Sequence, residues 1–372
     1  MTHVLLVIHN LESGGAERVF VNIANGLHRA GVRVELLLGK REGVYFDLLS
    51  KDVLVRELGA TTFAEYLRKL PAALKREHYT HVLVAGDLLS VAMIFAQKIS
   101  RTSFELVLTH HYASPRFRSL ALLKEDALLK VLHTLVTPHA NQIVAVSAGT
   151  LAWLRRSSGH ALPQARVIYN PVFDDSIYAL GLEPLQFPLH IEGKKILVSI
   201  GRLTTQKDQG TLLRALATHE LRSSCVTFIL GAGPKEQELK ALVIKLRLEH
   251  CVVFVGHDSN PYRWLSRCDL FVLSSINEGF GNVIVEAMAF GKTVVSTDCP
   301  SGPSEILASG EFGYLCPPGD PAALARSISH ALSAPLPAET VEKRSRSYHI
   351  DHIICDYLKM LGIPLVTPLE SK

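Results

Sequence analysis

Residues 270–298 read "LFVLSSINEGFGNVIVEAMAFGKTVVSTD". An apolar run stops at two serines, a loop with two glycines follows, an apolar segment of helical length closes on Gly291, and a second apolar run ends in polar residues. Two strands joined through a helix must run parallel, because a tight hairpin serves only antiparallel neighbours. The fold is therefore decided here: a βαβ unit of a parallel sheet.

Upstream, "KILVSIGRL", "VTFILGAG" and "CVVFVGH" repeat the pattern, each an apolar run ending in small or polar residues. Strands alternating with helices imply a sheet covered on both faces. Before Lys194 the stretch "FDDSIYALGLEPLQFPLHIEGK" is poorly periodic. Ahead of it lies another such series: "HVLLVIHN", "VRVELLLG", "HVLVAGD", "FELVLTHH", "QIVAVSA" and "ARVIYNPV". A chain of 372 residues suits two cores. The expected organisation is α/β, with two doubly wound Rossmann-like domains at 1–185 and 186–345 facing across a cleft. The helical pattern "ETVEKRSRSYHIDHIICDYLKMLG" has no strand after it, so residues 346–372 are expected to return toward the first domain.

Composition narrows the function. With 48% hydrophobic and 20% charged residues the chain is globular. No apolar run is long enough for a signal-peptide core or a membrane span, so a cytoplasmic location is expected. The six cysteines form no C-x-x-C pair, which argues against zinc or a disulfide framework and for small buried hydrophobes. The net charge of +4 comes from residues 1–185, with 20 Lys/Arg against 16 Asp/Glu. The remainder balances at 19 each. That surplus is too small for nucleic-acid binding.

Open parallel sheets bind ligands beyond the C-terminal ends of their strands. After the first strand comes "ESGGAER", where Gly14 and Gly15 allow close backbone approach and the helix start favours an anion; an ordinary tight turn is the alternative. "GRLTTQKDQG" places Arg202 and Lys207 at a strand end, suited to neutralising a diphosphate, or else they are solvated surface charges. The glycine turns "LGAGP" and "FVGHDS" are candidate linings of a base or ribose pocket. Glu278 stands in the loop before a helix and Glu286 one to two turns inside it. Two separated carboxylates can each accept from a sugar's hydroxyls, with phosphate at the helix start between them. Helix capping by Glu278 and simple solvation of Glu286 are the competing explanations.

In combination, "ESGGAER", "GRLTTQKD", the stretch 256–307 and "GYLCPPGD" resemble, in order, the retaining glycosyltransferases of family 4, which have the two-Rossmann GT-B architecture. The "DCPSGPSEIL" wording is similar to transferases of bacterial surface polysaccharides and lipid-linked oligosaccharides. The resemblance implies that Arg202 and Lys207 bind the diphosphate, Glu278 a donor-sugar hydroxyl and Glu286 the ribose. It places Gly14 and Gly15 by the donor sugar and acceptor, and Gly281 in the donor loop. There, where this chain has Gly281 and Asn282, many members of the family have proline, so the resemblance does not fix the shape of the sugar pocket. "VLTHHYAS" matches the strand end that supplies a histidine near the sugar, and alignment favours His111 over His110. Retention in the family is described as front-face attack, the departing phosphate helping to deprotonate the acceptor.

The implied activity is transfer of a sugar from a UDP-sugar to a hydroxyl of a saccharide acceptor, which the resemblance implies is lipid-linked. A nucleotide-sugar epimerase, an NADP-dependent oxidoreductase and a non-catalytic sugar-binding protein are the rivals. The second has weak support: "GGAE" is not G-x-G-x-x-G, and only Lys40 and Arg41 offer a 2'-phosphate site. No D-x-D occurs, so no metal is expected on the diphosphate, with Arg202, Lys207 and the helix dipole in its place. Arg116, Arg118, Lys124 and Lys130 alternate with leucines in 114–136, which allows peripheral contact with an anionic inner membrane face. Glu125 and Asp126 interrupt that run and favour an ordinary domain helix.

Overall fold

The computed structural model describes residues 2–12, 14–111 and 130–365. The chain forms two compact units, one of Met1–Val172 with Tyr348–Lys372 and one of Phe173–Ser347. It passes between them at 172/173 and 347/348, against the expected 185/186 and 345/346.

The first unit holds β1 (His3–Ile8), β2 (Arg33–Leu38), β3 (Leu54–Glu57), β4 (His81–Ala85), β5 (Glu105–His110), β6 (Gln142–Ala145) and β7 (Ala165–Val167). They pair in parallel in the order β3-β2-β1-β4-β5-β6-β7. Strand alternation sends Val4, Leu6 and Ile8 of β1 into one core and Leu5 and Val7 into the other. Both faces are therefore covered, which is why the strand reads as an unbroken apolar run. The helix Gly15–Arg29 lies on the first face with Val19, Phe20, Ile23 and Leu27 buried. A Cβ on its Gly26 would come 2.3 Å from Ile354 Cγ1. That close approach seats the helix Ile350–Met360 against it, adding Ile350, Ile353, Ile354, Tyr357 and Leu358 to the core. Burying each is worth about 1.5–3 kcal/mol. The C-terminal helix thus belongs to the first unit.

The second unit holds β8 (Lys195–Ile200), β9 (Cys225–Leu230), β10 (Val252–Gly256), β11 (Leu270–Leu273), β12 (Thr293–Thr297) and β13 (Tyr314–Cys316), in the order β10-β9-β8-β11-β12-β13, again parallel. In each sheet the chain order reverses once, between β1 and β4 and between β8 and β11. Those are the places where such sheets open a crevice at their C-terminal ends. No helix among the described residues is long and apolar enough to cross a membrane. Arg116, Arg118, Lys124, Glu125 and Asp126 lie outside the described residues.

Candidate active site

The switch point of the second unit carries two of the predicted residues side by side. Lys207 follows β8 and Glu278 follows β11, strands that pair through Leu270 with Leu197 and Phe271 with Val198. Lys207 Nζ lies 2.5 Å from Glu278 Oε1, and Ser275 Oγ donates to the same oxygen at 2.6 Å. The two side chains are 19% and 8% exposed. Bonds between their two loops fix the pair: Ser274 Oγ donates to the Lys207 carbonyl, Gln206 Nε2 to the Asn277 carbonyl and the Ile276 amide to the Gln206 carbonyl. The Lys207 stem lies over Gly201, where a Cβ would meet it at 3.2 Å. Burial, with the Glu278 charge next in weight, pushes the neighbouring Cys299 thiol up to about 12.

After Lys207 the backbone turns through Asp208 at φ 42°, a left-handed conformation costly for a residue with a Cβ. Its carboxylate offsets part of that cost by accepting from the Thr211 amide and hydroxyl at 3.3 and 2.6 Å, capping the helix Gln209–Leu216. Arg202 is exposed, and among the described residues its guanidinium has no hydrogen-bond or ion-pair partner.

Glu278 does not cap the following helix. Asn282–Ala289 starts from Gly281, at φ 103°, which supplies no side-chain cap. A positive φ there favours glycine and excludes proline, which is locked near −65°. Gly302 presses on the same loop, where a Cβ would lie 1.8 Å from the Phe280 carbonyl oxygen. Glu286 sits inside the helix, partly buried, with Tyr262 Oη 3.5 Å away.

The turn after β9 has a packing reason for its glycines. A Cβ on Gly231 would fall 2.2 Å from the Gly201 carbonyl oxygen, and one on Gly233 2.4 Å from that of Leu203. The Leu203 amide donates to the Ala232 carbonyl. The turn braces the loop that carries Arg202 and Lys207.

In the first unit, Gly14 is the N-cap residue of the helix Gly15–Arg29, and Gly15 is exposed at its first position. The preceding loop is held by bonds from the Leu11 amide to the Glu42 carbonyl and from the Tyr45 amide to the Leu11 carbonyl. His111 directly follows β5. Thr109 Oγ1 donates to the Val84 carbonyl at 2.9 Å, so it accepts from His111 Nε2–H at 3.1 Å and leaves Nδ1 as the acceptor nitrogen. Burial, and then the adjacent His110, hold the His111 imidazole down near a pKa of about 3, so the ring is neutral. The ring of Phe20 meets it edge-on at 5.7 Å. His110 turns instead to Asp87, at the end of β4, with Nδ1 3.5 Å from Oδ1. The same carboxylate oxygen is 3.2 Å from His133 Nε2.

Sequence reasoning missed Ser275 and Asp87. The first had a signal, a serine three residues before Glu278; the second had only its place after an apolar run.

Comparison with known proteins agrees with this arrangement. Residues 13–175 match the model for Glycosyltransferase Family 4, and 184–348 the model for Glycosyl transferases group 1. The N-acetylgalactosamine-N,N'-diacetylbacillosaminyl-diphospho-undecaprenol 4-alpha-N-acetylgalactosaminyltransferase of Campylobacter jejuni is 34% identical over 186 residues, 50% of this chain and 49% of that one. The chain thus matches about half the length of that relative. The lipopolysaccharide core biosynthesis glycosyltransferase LpsD of Rhizobium meliloti is 27% identical over 86% of this chain and 85% of its own. Among solved structures, HepE of Anabaena in complex with UDP-glucose superposes with a TM-score of 0.80, covering 97% of this chain and all of that one at 22% identity, a likeness of fold. With family models matching both halves in order, the chain belongs to the family 4 glycosyltransferases.

Proposed function

We propose that the protein is a retaining glycosyltransferase that moves a sugar from a UDP-sugar to a hydroxyl of a saccharide acceptor carried on a lipid. The observation that carries this reading is the Lys207–Glu278 pair at the β8/β11 switch point, beside the start of the helix Asn282–Ala289. Arg202 and Lys207 supply the positive charge that stabilises the departing diphosphate, in the role a metal takes elsewhere. Glu278 accepts from a donor-sugar hydroxyl and Glu286 from the ribose. Gly14 and Gly15 give the sugar and acceptor room at the backbone, and neutral His111 offers Nδ1 to a sugar hydroxyl. The lipid-linked acceptor is supported by the likeness to the Campylobacter diphospho-undecaprenol transferase. An acceptor of that kind would be met at the inner membrane face, where the cationic residues of 114–136 would meet anionic lipid.

A panel of UDP- and GDP-sugars tested for protection against thermal unfolding, followed by transfer assays with and without saccharide acceptors, tests this. Protection by UDP-sugars and an absolute acceptor requirement are expected. Protection by NADP in their place, or turnover without an acceptor, would overturn it. Association with anionic vesicles at low salt, weakened by joint Arg116→Glu and Arg118→Glu substitution, tests the membrane contact. No flotation with such vesicles would refute that contact.

A further inference from the structure

Asp87, His110 and His133 come from the ends of β4 and β5 and from the helix 130–136, three places separated in sequence. Their ligand-type atoms all lie within 4.8 Å of one another. The side chains of Asp87, His110 and His133 are 7%, 6% and 2% exposed. One carboxylate oxygen, Asp87 Oδ1, faces both imidazoles, at 3.5 Å from His110 Nδ1 and 3.2 Å from His133 Nε2.

Those distances bear on two explanations. An imidazolium donating to a carboxylate closes to about 2.7–2.9 Å. Three ligands placed tetrahedrally about a zinc-sized ion, with bonds of about 2.0–2.1 Å, stand roughly 3.3 Å from one another. The two observed separations fall on either side of the second figure, and the 3.2 Å contact also has the length of an ordinary N–H···O hydrogen bond. The tautomer of His133 points the same way. Ser157 Oγ is 2.8 Å from His133 Nδ1 and 3.0 Å from the Leu154 carbonyl oxygen. Both contacts are hydrogen bonds only if the serine donates to the carbonyl and accepts from Nδ1–H. The neutral Nε2 lone pair would then face a carboxylate oxygen, acceptor against acceptor, so a metal ion or the second proton of an imidazolium must lie between them. The outward bond from Nδ1 is what orients a metal-ligating histidine. His110 and His133 rings stand at 89° with centroids 5.3 Å apart. His110 Nε2 is buried and has no hydrogen-bond partner among the described residues.

We propose that Asp87 Oδ1, His110 Nδ1 and His133 Nε2 bind a divalent transition-metal ion of the zinc class. The ion ties the ends of β4 and β5 to the helix 130–136 and fixes the strand end from which His111 projects. It is separate from the donor diphosphate, whose candidate residues lie in the other unit.

The test uses the full chain, stripped with a chelator and titrated with Co²⁺. The expected result is one Co²⁺ per chain with the visible absorption of a tetrahedral site, displacement by Zn²⁺, and a higher melting temperature in Zn²⁺. Asp87→Asn and His133→Gln should each abolish uptake, while the exposed His139→Gln should leave it unchanged. If either variant fails to fold by circular dichroism, the wild-type titration and melting shift still decide. No uptake by the wild type at large molar excess would overturn the site and assign the contact to a proton. Uptake that survives both substitutions in folded protein would also overturn it.

Discussion

Replacing Lys207 by methionine keeps the stem that covers Gly201 and removes the charge, leaving the Glu278 carboxylate 8% exposed with Ser275 Oγ as its remaining donor. Breaking a fully buried pair in this way costs about 3–5 kcal/mol. Lys207 is 19% exposed, so water can partly replace the ammonium, and the expected cost falls to roughly 2 kcal/mol. For a unit of this size that is a drop in melting temperature of about 4–8 °C. Glu278→Gln should cost less, because the amide oxygen still accepts from Lys207. The double substitution should cost less than the sum, with a coupling of at least about 1 kcal/mol. Urea unfolding of the four proteins without ligand measures this cycle, and strict additivity would refute the pairing. The pair also sets a sign for nucleotide binding. A carboxylate that holds Lys207 competes with a diphosphate for it, so Glu278→Gln should bind UDP as tightly as wild type or up to about tenfold more tightly, while transfer is largely lost. Calorimetry showing UDP affinity falling in step with transfer would contradict the division of roles.

Three further expectations follow. Lys207→Ala and Arg202→Ala should each slow transfer by on the order of 10²-fold, with no dependence on added magnesium or manganese; full activity in either variant removes that residue from the site. His111 has a lowered folded pKa of about 3 against about 6.5 unfolded, so the unfolded chain binds the extra proton between those values. Its stabilisation is complete above about pH 6.5 and declines as pH falls, by up to ~1.4 kcal/mol per unit. Burial lowers His3 and His81 in the same direction. His111→Gln should flatten the acid limb of a denaturation series and impair transfer, and an unchanged limb would contradict the buried neutral ring. Burial raises the thiols of Cys225, Cys251, Cys268, Cys299 and Cys316. A thiol-disulfide reagent should therefore reach at most Cys355 in native protein and all six in denaturant; rapid labelling of Cys299 would show that its loop opens.

The interior strands were legible because burial on both faces leaves an unbroken apolar run. The two strands without a sequence signal, β3 and β13, lie at sheet edges, are four and three residues long, and are only partly buried. The positions of Glu278, Glu286, Arg202 and Lys207 were legible because each follows a strand or lies inside a helix whose start is marked by glycine. Helix capping by Glu278 was a fair alternative on spacing alone. It failed because Lys207 and Ser275 claim the carboxylate. Asp87, His110 and His133 were not legible as a group. Only the parallel pairing of β4 with β5 brings two of them together, and no local pattern records that register.

The return of the chain to the first unit has a consequence for biosynthesis. Val172 donates to the Tyr348 carbonyl, so the second unit is inserted between two chain segments joined by a hydrogen bond. On the ribosome the inserted unit is contiguous and can close its core as it emerges. The first 172 residues must meanwhile keep the Gly26 face of their helix uncovered until Ile350–Met360 has been made, roughly ten to forty seconds later at ordinary elongation rates. The domain synthesised first is the one completed last, and its apolar helix face is the surface a nascent-chain chaperone would have to shield.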